Sequence, residues 1–364
     1  AGNRDTSPIE DLISSSTVDD AAKFAVFAIT ACKERSMYAY DVKGAYLHTN
    51  LSPMKYVRLP KIAAIAYQLI TEMKQQDPDI QPAHIAQEMI SRHYDAKAKT
   101  FRTNISVPQI FGVQKALYGM RESGKLFEDD VADILTNKAN LTRSQYDASI
   151  YYDAENPAGL IVASHVDDFL ATADKGSEDL PFVQHLTNAF GKPSGGENPT
   201  TFTGINIRRN DNGTITLNQP GYINQIVTKF IPERRGEFTP AHMNFMIRKN
   251  TEPADLPLYR QIVGSLIHAT KTRKEILFYV SCLSKAMHAP MKHDMENALR
   301  LLQYLKATPN RGITFQPFDL SKPIQLYAHV DASLGTHIES GKSHLGYYIT
   351  IGSPDNGAII AKSS

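Results

Sequence analysis

The chain predicts an α+β fold, antiparallel strands backed by helices, and three observations carry that expectation. The apolar run 161–166 is interrupted by Asp167 and Asp168 and resumes at 169–171, which reads as two strands joined by a tight turn bearing both acids. Residues 202–207 and 214–217 flank Asp211-Asn212-Gly213, a hairpin with an Asn-Gly turn. Apolar positions recur at helical spacing in 18–28, 62–74, 82–94, 222–230, 259–270, 276–287 and 292–307. With 364 residues the chain can bury a large core and should divide into two or three domains.

Taken in order, residues 1–16 are polar and turn-rich, with Thr6-Ser7-Pro8 an ordered entry. The 18–28 helix has Thr17 as its candidate cap and leads into a strand that ends in Asp41, just before Gly44. The tract 61–98 holds two helical patterns and no chemistry of its own. A Gly-containing turn at 118–120 precedes a helix, and 145–151 enters the paired-acid hairpin. Four prolines make 232–257 linker-like, and the last strands run from Ile324 to Ile360.

Asp41, Asp167 and Asp168 could converge if their strands lie side by side. Three carboxylates supply hard oxygen ligands for a pair of Mg²⁺ ions, which stand about 3.5–4 Å apart in two-metal sites. Acids at that density repel one another without a cation. For Asp167-Asp168 alone, a hairpin turn with solvated acids is an equal reading, since Asp favours turns.

The net charge of +1 is not that of an overtly basic chain, but its distribution is uneven. Between Gly221 and Gly312 fourteen Lys/Arg stand against seven Asp/Glu, a local +7 that leaves −6 elsewhere. A solvated face is the ordinary meaning of a charge run; an excess confined to one stretch also suits a surface that grips phosphates. Cys32 and Cys282 are the two cysteines, which excludes a disulfide framework and a cysteine zinc site and fits a reducing compartment. No apolar run approaches the roughly 18–20 residues that span a bilayer, and no signal peptide is recognised, so a soluble chain without a membrane partner is expected.

Asp41-Val42-Lys43-Gly44-Ala45-Tyr46-Leu47, Lys115-Ala116-Leu117-Tyr118-Gly119-Met120 and Val166-Asp167-Asp168, in that order, resemble the reverse transcriptase of copia-type long-terminal-repeat retrotransposons. Phe202-Thr203-Gly204-Ile205, Tyr259-Arg260 with Val263-Gly264-Ser265-Leu266, Thr272-Arg273, Tyr304-Leu305-Lys306-Ala307-Thr308 and Asp331-Ala332 continue the resemblance almost to the last residue. It implies a right-hand polymerase of fingers, palm and thumb, with a connection and a truncated ribonuclease H-like α/β sheet. The implied division is 1–200 partial fingers and palm with a helical insertion at about 61–98, 201–257 primer-grip hairpin, thumb start and linker, 258–312 thumb and connection helices, and 313–364 incomplete ribonuclease H-like domain.

The resemblance implies that Asp41, Asp167 and Asp168 are catalytic and, with the carbonyl of Val42, hold two Mg²⁺ or Mn²⁺ ions. Gly44, Ala45, Tyr46, Tyr118 and Gly119 would bind the incoming nucleotide, with Tyr46 as the ring that excludes a ribose 2′-hydroxyl; a plain core tyrosine is the alternative. Lys125, His165, Phe202 and Gly204 would touch nucleic acid, and Asp331 would be the first ribonuclease H carboxylate. The implied partners are an RNA template, a DNA primer, their duplex, deoxynucleoside triphosphates and the rest of a polyprotein, including integrase and the missing ribonuclease H part. A cytoplasmic location in virus-like particles, with nuclear entry of the product complex, goes with these.

Several positions depart from the family pattern. Glu122, Ser123 and Gly124 stand where Gln, a small residue and Pro are usual, His165 where an aromatic residue is usual, and Arg273-Lys274-Glu275 where Arg-Pro-Asp is usual. The basic finger strands are expected upstream of residue 1 and the remaining nuclease carboxylates downstream of Ser364, so ribonuclease H activity is not expected of this chain. The rival readings are a captured or decayed element that binds nucleic acid without catalysis and, from another class, an unrelated two-metal nuclease.

Overall fold

Helix α1 (Asp20–Thr30) runs into β1 (Arg35–Asp41) in the computed structural model, followed by β2 (Asn50–Arg58), α2 (Lys61–Gln76), α3 (Pro82–His93), β3 (Tyr94–Asp95), β4 (Thr100–Phe101), β5 (Ile110–Lys115) and α4 (Ser123–Asp133). Next come β6 (Thr142–Arg143), β7 (Ile150–Tyr152), β8 (Leu160–His165), β9 (Asp168–Asp174), α5 (Pro181–Phe190), β10 (Ser194–Glu197), β11 (Thr201–Phe202), β12 (Ile205–Arg209) and β13 (Ile215–Asn218). Helices α6 (Pro220–Phe230), α7 (Leu256–Ala269), α8 (Leu277–Lys285) and α9 (Lys292–Ala307) precede β14 (Ile313–Phe315), β15 (Leu326–Ser333), β16 (His344–Ile351) and β17 (Ala358–Ser363). The structure describes residues 15–33, 35–95, 100–102, 108–156, 159–175, 180–243, 245, 252–335, 341 and 343–364; the Thr6-Ser7-Pro8 entry lies outside them.

The chain divides into two units, one containing Gly44–Asp130 and the other joining Ser15–Lys43 to Val131–Ser364. In the first, β2 and β5 form an antiparallel pair in which Arg58 faces Ile110. Helix α2 buries only Ala64, Ile65 and Leu69, the narrow apolar stripe of a surface helix. Arg92 of α3 pairs with Glu88 at 2.5 Å on its own helix and reaches Glu72 of α2 at 3.8 Å.

The second unit is organised on an antiparallel sheet of order β10-β1-β9-β8-β7-β6. Strand alternation sorts its side chains. Met37, Leu170 and Ala163 enter a core shared with Phe24 and Phe27 of α1 and with Ile205, Leu217 and Phe315. The adjacent positions point the other way, where Tyr40 meets the edge of Phe182 on α5 at 6.0 Å. Burying Phe24 and Phe27 contributes about 1.5–3 kcal/mol each, which holds α1 on the sheet.

Helix α1 is capped by Asp19, whose carboxylate accepts from the Asp20 N–H at 2.8 Å, and not by Thr17. The reason is tertiary: the Val18 N–H donates to Ser164 of β8, so the chain is still pairing with the sheet at residue 18. A second sheet, β11-β12-β13-β14, and a third, β15-β16-β17, complete the strands of this unit, and β3 pairs with β4 in the other. Helices α6–α9 enclose a separate core around Tyr259, Leu266 and Leu301. Among the described residues no helix is long and apolar enough to cross a membrane.

Candidate functional site

The hairpin β8–β9 turns on Val166 and Asp167 alone, so Asp168 opens the second strand where the sequence placed both acids on the turn. Of the two loop residues Val166 has a positive φ, 60°, matching the type II′ turns that suit the twist of paired strands. A β-branched residue pays a steric cost there, so the surrounding sheet must enforce it. The Val42 N–H donates to the Asp167 carbonyl at 2.9 Å, tying the end of β1 to this turn.

Register then assembles the site. Asp168 faces His165 across the hairpin and Asp41 across β1, while Asp41 faces Ser194 on β10. Directly opposed residues of antiparallel strands project to one face with Cβ atoms about 4.5–5.5 Å apart. Ser194, Asp41, Asp168 and His165 therefore form one row across four strands. The Ser194 hydroxyl donates to Asp41 Oδ2 at 3.2 Å.

Charge confirms the crowding. Burial, then Asp167, then Asp41 push the Asp168 carboxyl up to about 6, so repulsion adds to desolvation. Burial, followed by Lys23 and Lys271, lowers the proton affinity of His165, and its Nδ1 has no hydrogen-bond partner among the described residues. The donor set, hard carboxylate oxygens, has the chemistry of a divalent-cation site. Among the described residues no three His, Cys, Asp or Glu side chains stand close enough together to hold a metal ion. The acids are neighbours in register and charge, short of a closed coordination sphere.

A cleft of about 490 Å³ opens beside Asp41 and Asp168, walled by Ser194–Thr203. Its wall needs glycine: a Cβ on Gly195 would lie 2.1 Å from the Ala39 carbonyl oxygen, at a φ of 112°. Gly195→Ala is expected to cost about 2–4 kcal/mol through overpacking and strain, checked by urea unfolding and by faster amide exchange along β10. Phe202 is buried in the core, and Thr203-Gly204, both with positive φ, make the two-residue turn from β11 to β12. Any ligand of this turn would meet its backbone before the Phe202 ring.

The remaining sequence candidates belong elsewhere. In the unit containing Gly44–Asp130, Gly44 takes a left-handed φ of 66° and opens the 3₁₀ turn Ala45–His48. Tyr46 contacts Tyr118 at 4.6 Å and Phe127 at 6.1 Å between ring centroids, and Gly119 turns with a φ of 91°. Lys125 pairs with Asp129 at 2.7 Å, and the departing Glu122 is neutralised by Lys55 at 2.6 Å. In the other unit Asp331 is exposed on β15 opposite Gly346, beside an apolar cleft of about 540 Å³ that His329, His344 and Phe278 also line.

Sequence reasoning missed Ser194 and the partners of two buried cations. Lys23, 4 % exposed, pairs with Asp20 at 2.6 Å. Arg35, 3 % exposed, meets Asp174 at 2.9 Å and the Gly159 carbonyl at 3.0 Å. The one available signal was the Ser-Gly-Gly at 194–196, because glycine inside a strand marks close backbone approach.

Comparison with known proteins bears directly on this site. The family described as reverse transcriptase (RNA-dependent DNA polymerase) matches residues 61–242, half of the chain, a stretch that includes Asp167 and Asp168 and leaves Asp41 outside. A Saccharomyces cerevisiae protein named for transposon Ty5-1 is 25% identical over 277 residues, 75% of this chain and 88% of that protein. The retrovirus-related Pol polyprotein from transposon RE1 of Arabidopsis thaliana is 27% identical over 247 residues, 66% of this chain. That from transposon TNT 1-94 of Nicotiana tabacum is 23% identical over 322 residues, 85% of this chain. The chain spans 16% and 24% of the lengths of those two polyproteins. It belongs to the reverse transcriptase (RNA-dependent DNA polymerase) family, of the kind carried in copia-type retrotransposon Pol polyproteins.

Proposed function

We propose that this chain extends a DNA primer on an RNA template with deoxynucleoside triphosphates, using Asp41, Asp167 and Asp168. The observation that carries the reading is the register that sets Asp41 opposite Asp168, with Asp167 held beside them by the Val42 hydrogen bond. Family membership supports the same reaction. The three carboxylates, with the Val42 carbonyl, would hold two Mg²⁺ or Mn²⁺ ions. Such ions, when bound, activate the attacking hydroxyl and neutralise charge on the transferred phosphate.

The protein's own part is positioning. Asp168 and Asp167 sit on a hairpin whose strained turn is clamped by β1, so both acids have little freedom to move. Gly44, Ala45, Tyr46, Tyr118 and Gly119 take the nucleotide in this reading, and Tyr46 rejects the 2′-hydroxyl. Lys125, His165 and the 202–204 turn meet template and primer. The right-hand divisions are fingers and palm over 1–200, primer grip and thumb start over 201–257, thumb and connection over 258–312, and a ribonuclease H-like sheet carrying Asp331 over 313–364. The rest of a Pol polyprotein, integrase included, completes the set of partners.

Primer extension on an RNA template with Mg²⁺ tests the reading. Incorporation by the chain, reduced more than ~100-fold in Asp167→Asn, is the expected result, since even outer-shell partners of metal ligands are worth 10–100-fold. Duplex binding with no incorporation by the unaltered chain would replace the polymerase with a non-catalytic nucleic-acid binder.

A further inference from the structure

We propose that Ser194 is a positioning residue for Asp41, an assignment that rests on the polymerase reading above. Ser194 opens β10 directly opposite Asp41, and its hydroxyl donates to Asp41 Oδ2 at 3.2 Å. A hydroxyl facing a carboxylate can only be the donor. One carboxylate oxygen is thereby fixed, and Oδ1 is left to face a cation.

The neighbouring sequence is built to bring the hydroxyl there. Gly195 faces Tyr40 and Gly196 faces Ala39, with φ of 112° and 155°. Because any Cβ at 195 would fall 2.1 Å from the Ala39 carbonyl oxygen, only glycine lets β10 approach β1 this closely. The same approach delivers Ser194 to Asp41. Asp41 ends its strand, where one flank is β9 and the other is this hydroxyl. Without the hydrogen bond the carboxylate turns about its broad, two-fold terminal torsion, and metal binding must first select one orientation.

Ser194→Ala and Ser194→Thr, made in the full chain, separate positioning from packing, since Thr keeps the hydroxyl and suits a strand. Mg²⁺ binding is followed by isothermal titration calorimetry without nucleic acid, and primer extension gives kcat and the KM for primer–template. In Ser194→Ala, Mg²⁺ affinity and kcat are expected to fall about tenfold, the lower end of the range for groups that orient metal ligands. The KM for primer–template and the melting temperature stay unchanged, and Thr restores both losses. Unaltered Mg²⁺ affinity in Ser194→Ala, or equal losses in Ala and Thr, overturns the assignment while the polymerase reading stands. An unaltered chain that neither binds Mg²⁺ nor extends a primer removes the reading and the assignment together.

Discussion

Asp168→Asn is expected to make the metal-free chain more stable while abolishing the primer extension proposed for it. The folded protein raises the Asp168 carboxyl from 3.8 to about 6 through burial and the charges of Asp167 and Asp41. A raised pKa means that the folded state binds the proton more tightly. The stabilisation is complete below about pH 4 and is lost as pH rises through about 6. Two pK units correspond to about 3 kcal/mol, which solvent screening of this half-buried group reduces to about 1–2 kcal/mol. Asparagine keeps the shape without the charge. Urea unfolding in EDTA should therefore show the variant more stable by about 1–2 kcal/mol at pH 7.5 and equal to the parent near pH 4. Primer extension should fall more than ~100-fold. A variant as pH-sensitive as the parent would mean that Asp168 is not under the repulsion described.

Arg273→Ala should have the largest effect on folding. The side chain is fully buried at the end of the α6–α9 bundle and donates to the Thr308 carbonyl at 2.8 Å, the Thr308 hydroxyl at 2.7 Å and Glu275 at 2.7 Å. Its guanidinium also lies 5.3 Å from the Tyr304 ring centroid. Removing it leaves the Glu275 carboxylate and the Thr308 carbonyl without this donor, a loss of about 3–5 kcal/mol. Arg273→Lys should recover little of it, because an ammonium cannot reproduce the planar fork. Thermal melting of the two variants beside the parent checks both statements. If lysine restores the melting temperature, charge alone was needed.

This tie shows what was legible and what was not. Thr272-Arg273 and Tyr304-Leu305-Lys306-Ala307-Thr308 stood out as motifs in the sequence, yet nothing in a linear reading says that the first holds the second. Helix α9 was legible to the residue because its apolar positions repeat over four turns between clear breaks. The paired-acid hairpin was legible too, from an apolar run split by two charges. Its turn was displaced by one residue, because propensity favours both aspartates in the turn while register pulls Asp168 into β9. Strand β10 stayed hidden: Ser-Gly-Gly-Glu has neither β propensity nor alternation, and β1 alone makes it a strand. Asp41 and Asp168 could be named from sequence, but the hydroxyl beside them depended on that unseen pairing.

The row across the four strands makes the site a matter of parity. Met37, Ala39 and Asp41 lie on one face because their positions differ by even steps, and the apolar members of that set are anchored in the core. Point substitutions along β1 can vary side chains and leave the count untouched. A single inserted or deleted residue between Ala39 and Asp41 cannot. It would send the carboxylate to the α5 side of the sheet while every apolar anchor stayed in place, giving a folded protein in which Asp41 no longer stands beside Asp168. A substitution in this strand alters one contact, whereas an odd step in its length turns over the face on which the carboxylate stands.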